Sequence, residues 1–256
     1  DVPEPALFKK KVPYHVPSTI TNMLMLYDVH VPYHNKEAVQ LALHYGLDHE
    51  VDCIFFGGDF LDMYGVSKYE KERGAWEPED EICAFLELIG LIRKHFGDIP
   101  IILLEGNHET RFTRYLKQNA PAILGMVCNT LQDILLQELT NVTYLDEKRL
   151  VKFSHLNIMH GHEFSISGDN PAKMLLRKRM GCCMAGHLHV TDYYDHRTIE
   201  GKTIGAWMVA GLLDIDSHWS PQVYNKWQNG FARVTRTDDN EWFRVENKVI
   251  ERGQIL

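Results

Sequence analysis

The run Ile101-Ile102-Leu103-Leu104-Glu105-Gly106-Asn107-His108-Glu109 decides how this chain is read. Four consecutive aliphatic residues have the length of a buried strand, and the residues that follow are polar and helix-prone. Gly106 marks the turn between them. An amide and an imidazole therefore stand side by side where a buried strand ends. The Asn107 amide oxygen can ligate a metal, and the His108 imidazole can move a proton. Gly-Asn-His alone is only a turn signal. Its weight comes from four other strand ends that carry matching groups.

Upstream, Met23 to Tyr27 is a short apolar strand that ends in Asp28-Val29-His30. Alternation along an extended backbone predicts that Asp28 and His30 point the same way. Lys36 to Glu50 reads as a helix with one buried face. Asp52 to Phe56 is the next buried strand, and it runs into Gly57-Gly58-Asp59-Phe60-Leu61-Asp62. The two glycines permit a sharp turn, which leaves Asp59 at a strand end and Asp62 one short turn beyond. Residues 63–77 form a polar loop that either shapes a substrate opening or is a disordered surface insertion. Glu79 to Phe96 is an amphipathic helix. Residues 1–20, rich in Pro and Lys, read as a surface arm, and 21–256 as a single domain without internal repeat or linker.

Downstream, Arg111 to Asn119 and Ala122 to Leu139 read as helices, with Arg111 and Arg114 on one face. Arg111 is close enough to His108 to touch an anionic substrate. Val142–Leu145, Leu150–Phe153 and Leu156–Met159 read as strands, the last ending in His160-Gly161-His162. Pro171 to Met180 is a helix bearing Lys173, Arg177, Lys178 and Arg179, a cluster that serves as a solvated face or follows a phosphate backbone. Cys182 to Ala185 is a small-residue strand ending in Gly186-His187-Leu188-His189. Its two imidazoles are also expected to point one way. The tail reads as strands Val190–Tyr194, Trp207–Ala210, Gly230–Arg236 and Trp242–Val249.

Composition narrows the function classes. A chain of 256 residues with 45% hydrophobic content can bury a sizeable core. Its net charge of −8 argues against sequence-independent nucleic-acid binding, which relies on clustered Lys and Arg. Fourteen histidines exceed what packing requires and point mildly to metal. The cysteines Cys53, Cys83, Cys128, Cys182 and Cys183 are odd in number and include an adjacent pair. They read as reduced core thiols of a cytoplasmic protein. No apolar run has membrane-spanning length, and the first residues lack a signal peptide's pattern.

Strand, helix, strand, helix, strand implies parallel neighbours, and ligands of such sheets bind outside the carboxyl ends of the strands. Asp28, His30, Asp59, Asn107, His160, His187 and His189 all fall at such ends. Seven donors are too many for one tetrahedral ion. They suit two ions sharing a bridging carboxylate, roughly 3.5–4 Å apart.

Asp-x-His, Gly-Asp-x-x-Asp, Gly-Asn-His-Glu, a His before Gly, and Gly-His-x-His occur in that order from Asp28 to His189. This order resembles the calcineurin-like metallophosphoesterase superfamily. The resemblance implies an α/β fold, an α/β/β/α sandwich of two mixed sheets flanked by helices. It implies one metal on Asp28, His30, Asp59 and His189, and another on Asp59, Asn107, His160 and His187. His108 would be the acid-base or charge-stabilising residue. Asp62 matches the carboxylate that orients this His in the phosphoprotein phosphatase branch. That branch carries Asp-Arg-Gly where this chain has Asp62-Met63-Tyr64, so a phosphate-binding Arg is missing there. Arg111 or His162 is the candidate replacement. The tail around Trp227, Gly230 and Phe231 resembles small phage and bacterial members.

The implied reaction is hydrolysis of a phosphodiester or phosphomonoester by water activated on two divalent ions, attacking phosphorus in line. Manganese is the first expectation, with iron, zinc, cobalt or nickel as alternatives. A phosphate ester is the expected partner, a nucleotide or nucleic acid among the candidates, with no membrane and no obligate protein partner. Competing readings are a nuclease using Lys173, Arg177 and Arg179, a phosphoprotein phosphatase, and a non-enzymatic scaffold that would usually have lost ligands.

Overall fold

The computed structural model describes residues 11–71, 73–124, 126, 130–165, 169–216, 225–237, 239 and 241–256. Cys128 lies outside them. The Ile101–Leu104 strand (β4) lies between β3 (Cys53–Phe56) and β5 (Val142–Leu145) and runs parallel to them and to β2 (Asn22–Leu26). Strands β11 (Asn229–Arg236), β12 (Phe243–Glu251) and β13 (Gln254–Ile255) extend it antiparallel from β2, in the order β13-β12-β11-β2-β3-β4-β5.

A second sheet holds six strands. They are β1 (Tyr14–His15), β6 (Val151–Phe153), β7 (Leu156–Ile158), β8 (Cys183–Ala185), β9 (Asp192–Arg197) and β10 (Thr203–Met208). Their order is β1-β6-β7-β8-β10-β9. Both sheets mix parallel and antiparallel pairs.

The period-2 alternation of the strands separates the core into layers. Leu24, Leu26, Ile54, Phe56, Ile101 and Leu103 face one side of the first sheet. There they meet helices α1 (Lys36–Asp48), α2 (Pro78–Phe96) and α4 (Leu131–Glu138). Met23, Met25, Phe55, Ile102 and Leu104 face the other side and meet Val151, Phe153, Ile158 and Met184 of the second sheet. A third cluster joins the far face of the second sheet to helix α5 (Pro171–Arg179) through Leu175, Leu176, Ala206 and Met208. The result is the expected α/β/β/α sandwich, with helix α3 (Glu109–Asn119) leaving the end of β4.

Several boundaries differ from the sequence expectation. The helix expected over 122–139 is only α4, preceded by a 3-10 turn at Pro121–Ile123. Thr130 and Asp133 form a reciprocal capping box that starts α4 at Leu131. The 203–208 strand begins before the expected Trp207 because it pairs with β9 along its full length. Tyr14–His15 adds an edge strand to β6, and Val16 and Ile20 are buried. Cys53, Cys182 and Cys183 are free and buried, whereas Cys83 is free and exposed on α2. Among the described residues no helix is long and apolar enough to cross a membrane.

Candidate metal centre and active site

The seven predicted donors converge at the carboxyl ends of β2, β3, β4, β7 and β8, although not by the route the sequence suggested. The 28–30 and 187–189 segments are not extended. Asp28, His30, Asp59, His187 and His189 have φ of 50°, 51°, 52°, 70° and 57°. Five of the seven donors thus hold a left-handed backbone that costs a non-glycine residue about 1–2 kcal/mol. Tertiary hydrogen bonds impose it. The Asp28 N–H donates to Gly58 O at 3.1 Å, the His30 N–H to Asp59 O at 2.9 Å, and the Gly186 N–H to His160 O at 2.8 Å. Strain of this kind gathers where a site over-determines its backbone.

The donors sort into two groups, the first buried and the second buried apart from the partly exposed His187 and Asn107. Asp28, His30 and His189 have ligand atoms within 4.8 Å of one another, and so do Asp59, His160 and His187. His187 and His189 consequently serve different groups, contrary to the expected parallel orientation. Asp59 lies between the groups. Its Oδ2 is 3.1 Å from His160 Nε2, 3.8 Å from His108 Nε2 and 4.0 Å from His30 Nε2. Asn107 Oδ1 is 3.3 Å from His160 Nε2 and joins the second group.

Partners behind the imidazoles fix their tautomers, as metal-binding histidines require. His160 Nδ1 donates to Gly57 O at 2.9 Å, and His30 Nδ1 to Asp62 Oδ2 at 2.9 Å. In both rings Nε2 is turned to the carboxylates. Asp28 Oδ2 accepts the His187 N–H at 2.8 Å. Among the described residues its buried Oδ1 finds no hydrogen-bond donor of good geometry, His189 Nε2 lying 3.3 Å away, and His189 Nδ1 is likewise buried without a partner. Buried polar atoms are costly to leave unpaired, and this mixed N/O donor set fits divalent cations.

Glycines permit the close approach of these loops. A Cβ on Gly106 would lie 2.2 Å from Asp59 Oδ1, and one on Gly186 would lie 2.5 Å from Asp28 Oδ2.

Electrostatics follow from dense charge in a dry site. Burial opposes charge on His160, yet Asp59 beside it holds its pKa up, to about 10. Burial also opposes ionisation of Asp59, but His160 and His108 hold its carboxyl well below the usual range. Burial, and then the charge of His160, pushes His187 down to about 4.

His108, Asp62 and Arg111 form a second cluster beside the donors. His108 Nδ1 is 2.9 Å from Asp62 O and 3.3 Å from Asp62 Oδ2. Arg111 Nη2 donates to His108 Nε2 at 2.7 Å, and its Nη1 to Asp62 O at 2.9 Å. Arg111 of α3 thus places a guanidinium beside His108 and Asp62. His162 is also brought in. Its ring centroid is 5.3 Å from that of His160, its Nε2 is 3.6 Å from Glu147 Oε2, and both nitrogens are buried without hydrogen-bond partners among the described residues.

Three residues near the donors were given no site role from the sequence: Glu109, Glu81 and Trp227. Glu109, fully buried, accepts the N–H groups of Asp59 at 3.0 Å, Leu61 at 2.8 Å and Gly106 at 2.8 Å. Burial, and then the charge of Asp59, raises its pKa to about 8. Glu81 of α2 accepts the N–H groups of Met63 at 2.5 Å and Tyr64 at 3.2 Å, anchoring the start of the 63–77 loop. Trp227 packs edge-on against His189, ring centroids 4.7 Å apart. A carboxylate following Gly-Asn-His was visible in the sequence, but nothing local foretold that its acceptors would bridge two strand ends.

The Calcineurin-like phosphoesterase family matches residues 28–191, a span that contains every donor described above. The chain belongs to that family. It is 25% identical over 230 residues to the Gene 54 protein of Mycobacterium phage L5, covering 83% of this chain and 88% of that protein. Among solved structures, wild-type Vps29 of Entamoeba histolytica complexed with zinc gives a TM-score of 0.47 at 12% identity, covering 92% of this chain and 96% of that one. A dimetal phosphatase of Danio rerio gives 0.43 at 11% identity, covering 84% and 92%.

Proposed function

We propose that this family member is a metal-dependent phosphoric ester hydrolase working with two divalent cations, manganese first among them. Asp28, His30, Asp59 and His189 would hold one ion, and Asp59, Asn107, His160 and His187 the other. The single observation that carries this reading is the position of Asp59 Oδ2 between two groups of donors. When bound, such ions supply Lewis acidity toward phosphate and acidify water.

The chain's own residues supply the rest. Arg111 forms a planar fork suited to phosphate oxygens. An incoming anionic ester competes for that fork and frees His108 Nε2, which Arg111 otherwise engages. Asp62 stands behind His108 Nδ1 and orients the ring, so that Nε2, once protonated, can donate a proton to the leaving oxygen. Such a proton transfer is worth roughly 10²–10⁴ in rate. His162 is a second candidate contact for the substrate, by its place beside His160 and His187.

Hydrolysis of bis(4-nitrophenyl) phosphate with added manganese tests the assignment. The expected result is turnover that falls by about 10²–10⁴ in His108→Ala and is lost in Asp59→Ala. Undiminished turnover in either variant contradicts the roles assigned.

A further inference from the structure

Helix α5 packs over β8, β9 and β10 of the second sheet. Beside it, toward β6 and β7, the outer face carries a cavity of about 460 Å³. That volume is within the range of small-molecule sites. Leu150 and Met159 line its floor. They stand just outside the paired residues Val151 and Ile158, at the end of β7 where the chain enters the metal centre.

The cavity adjoins the candidate metal centre along the chain. Met159, Glu163 and Phe164 line the cavity, and they flank the His160-Gly161-His162 turn on both sides. On the opposite rim, Lys148 follows Glu147, whose Oε2 is 3.6 Å from His162 Nε2.

The lining is cationic in a chain whose net charge is −8. Lys148, Arg149 and Arg179 line it together with Glu163, which accepts the Gly161 N–H at 2.8 Å, and Lys148 Nζ lies 3.7 Å from Glu147 Oε1 just outside the lining. Arg149 is held in place by Asp146 Oδ1 at 3.0 Å and by Val12 O at 2.6 Å. Arg179 stacks on Phe164 with its guanidinium carbon 3.3 Å from the ring centre. A guanidinium stacked on one face offers a planar platform on the other, suited to an aromatic ring.

We propose that this cavity holds the nucleotide portion of a phosphodiester substrate, its planar base on Arg179 and its second phosphate on Lys148 and Arg149, while the scissile ester sits at the metal centre. The proposal rests on the phosphoesterase reading and narrows its substrate class.

Two measurements test it. In the first, thymidine 3′,5′-bisphosphate is titrated calorimetrically into metal-stripped protein. Wild type is expected to bind, and Lys148→Ala and Arg179→Ala to bind about tenfold more weakly. Lys173→Ala, on a different part of α5, should be unchanged. Absence of binding, or equal affinity in all four proteins, overturns the proposal.

In the second, two chromogenic esters are compared with manganese present. Lys148→Ala and Arg179→Ala should raise KM about tenfold for thymidine 3′-phosphate 5′-(4-nitrophenyl phosphate), with KM for bis(4-nitrophenyl) phosphate and both kcat values unchanged. Equal effects on both esters, or none, overturn the placement of the substrate. If wild type hydrolyses neither ester, the phosphoesterase reading fails, and the calorimetry decides the cavity by itself.

Discussion

Glu109 shows what a single residue does for the centre without touching a substrate. Its carboxylate gathers three N–H groups from the ends of two strands and so fixes Asp59 and Gly106 relative to each other. Removing it leaves those donors buried without an acceptor. Glu109→Ala is expected to cost about 2–5 kcal/mol in denaturant unfolding, and to weaken metal binding about 10–100-fold by calorimetry. A loss below about 0.5 kcal/mol with unchanged metal affinity contradicts this role. The donor residues themselves were legible in the sequence, because each sits where an apolar run meets a turn. Their orientation was not. Alternation assumes extended backbone, whereas Asp28, His30, His187 and His189 hold positive φ because distant loops claim their neighbouring amides. The long-range grip of Glu109 and the fork of Arg111 on His108 left no local trace for the same reason.

Among the elements, α2 and the loop it anchors carry a testable charge. Burial raises Glu81 to about 8, and Asp62 nearby adds to the rise, against the hydrogen bonds from Met63 and Tyr64 and the charge of Arg111. A folded-state pKa raised above the ordinary 4.5 means that folding favours the neutral carboxyl. The stability it contributes is full below pH 4.5 and is lost as pH rises toward 8. The Tm of wild type measured against Glu81→Gln is therefore expected to fall across that window, and a constant difference contradicts it. The long elements were readable because their patterns are strong. α2 matches its expected span within one residue, and the four parallel strands were all foreseen. Of the short ones, β6, β7 and β8 were foreseen and others were not. A capping box set the start of α4, and β1 and β13 exist only because longer strands offer them an edge.

For the whole molecule, five strand ends from two sheets meet at one place, so the centre ties the layers together. The layering followed from the family resemblance that the order of motifs carries, more than from alternation in the strands. The partition of donors between two groups needed the three-dimensional arrangement. An ion that binds only the folded chain stabilises it by mass action, by about 2.7 kcal/mol at one hundred times its dissociation constant. Adding manganese to chelator-treated protein should therefore raise Tm, and an unchanged Tm contradicts a folded-state site.

The most direct test counts ions. Wild-type protein loaded with manganese and passed through a desalting column is expected to retain two ions per chain by elemental analysis, and Asp59→Ala to retain at most one. Wild type that retains none, or an Asp59→Ala variant that keeps both, would contradict the shared centre.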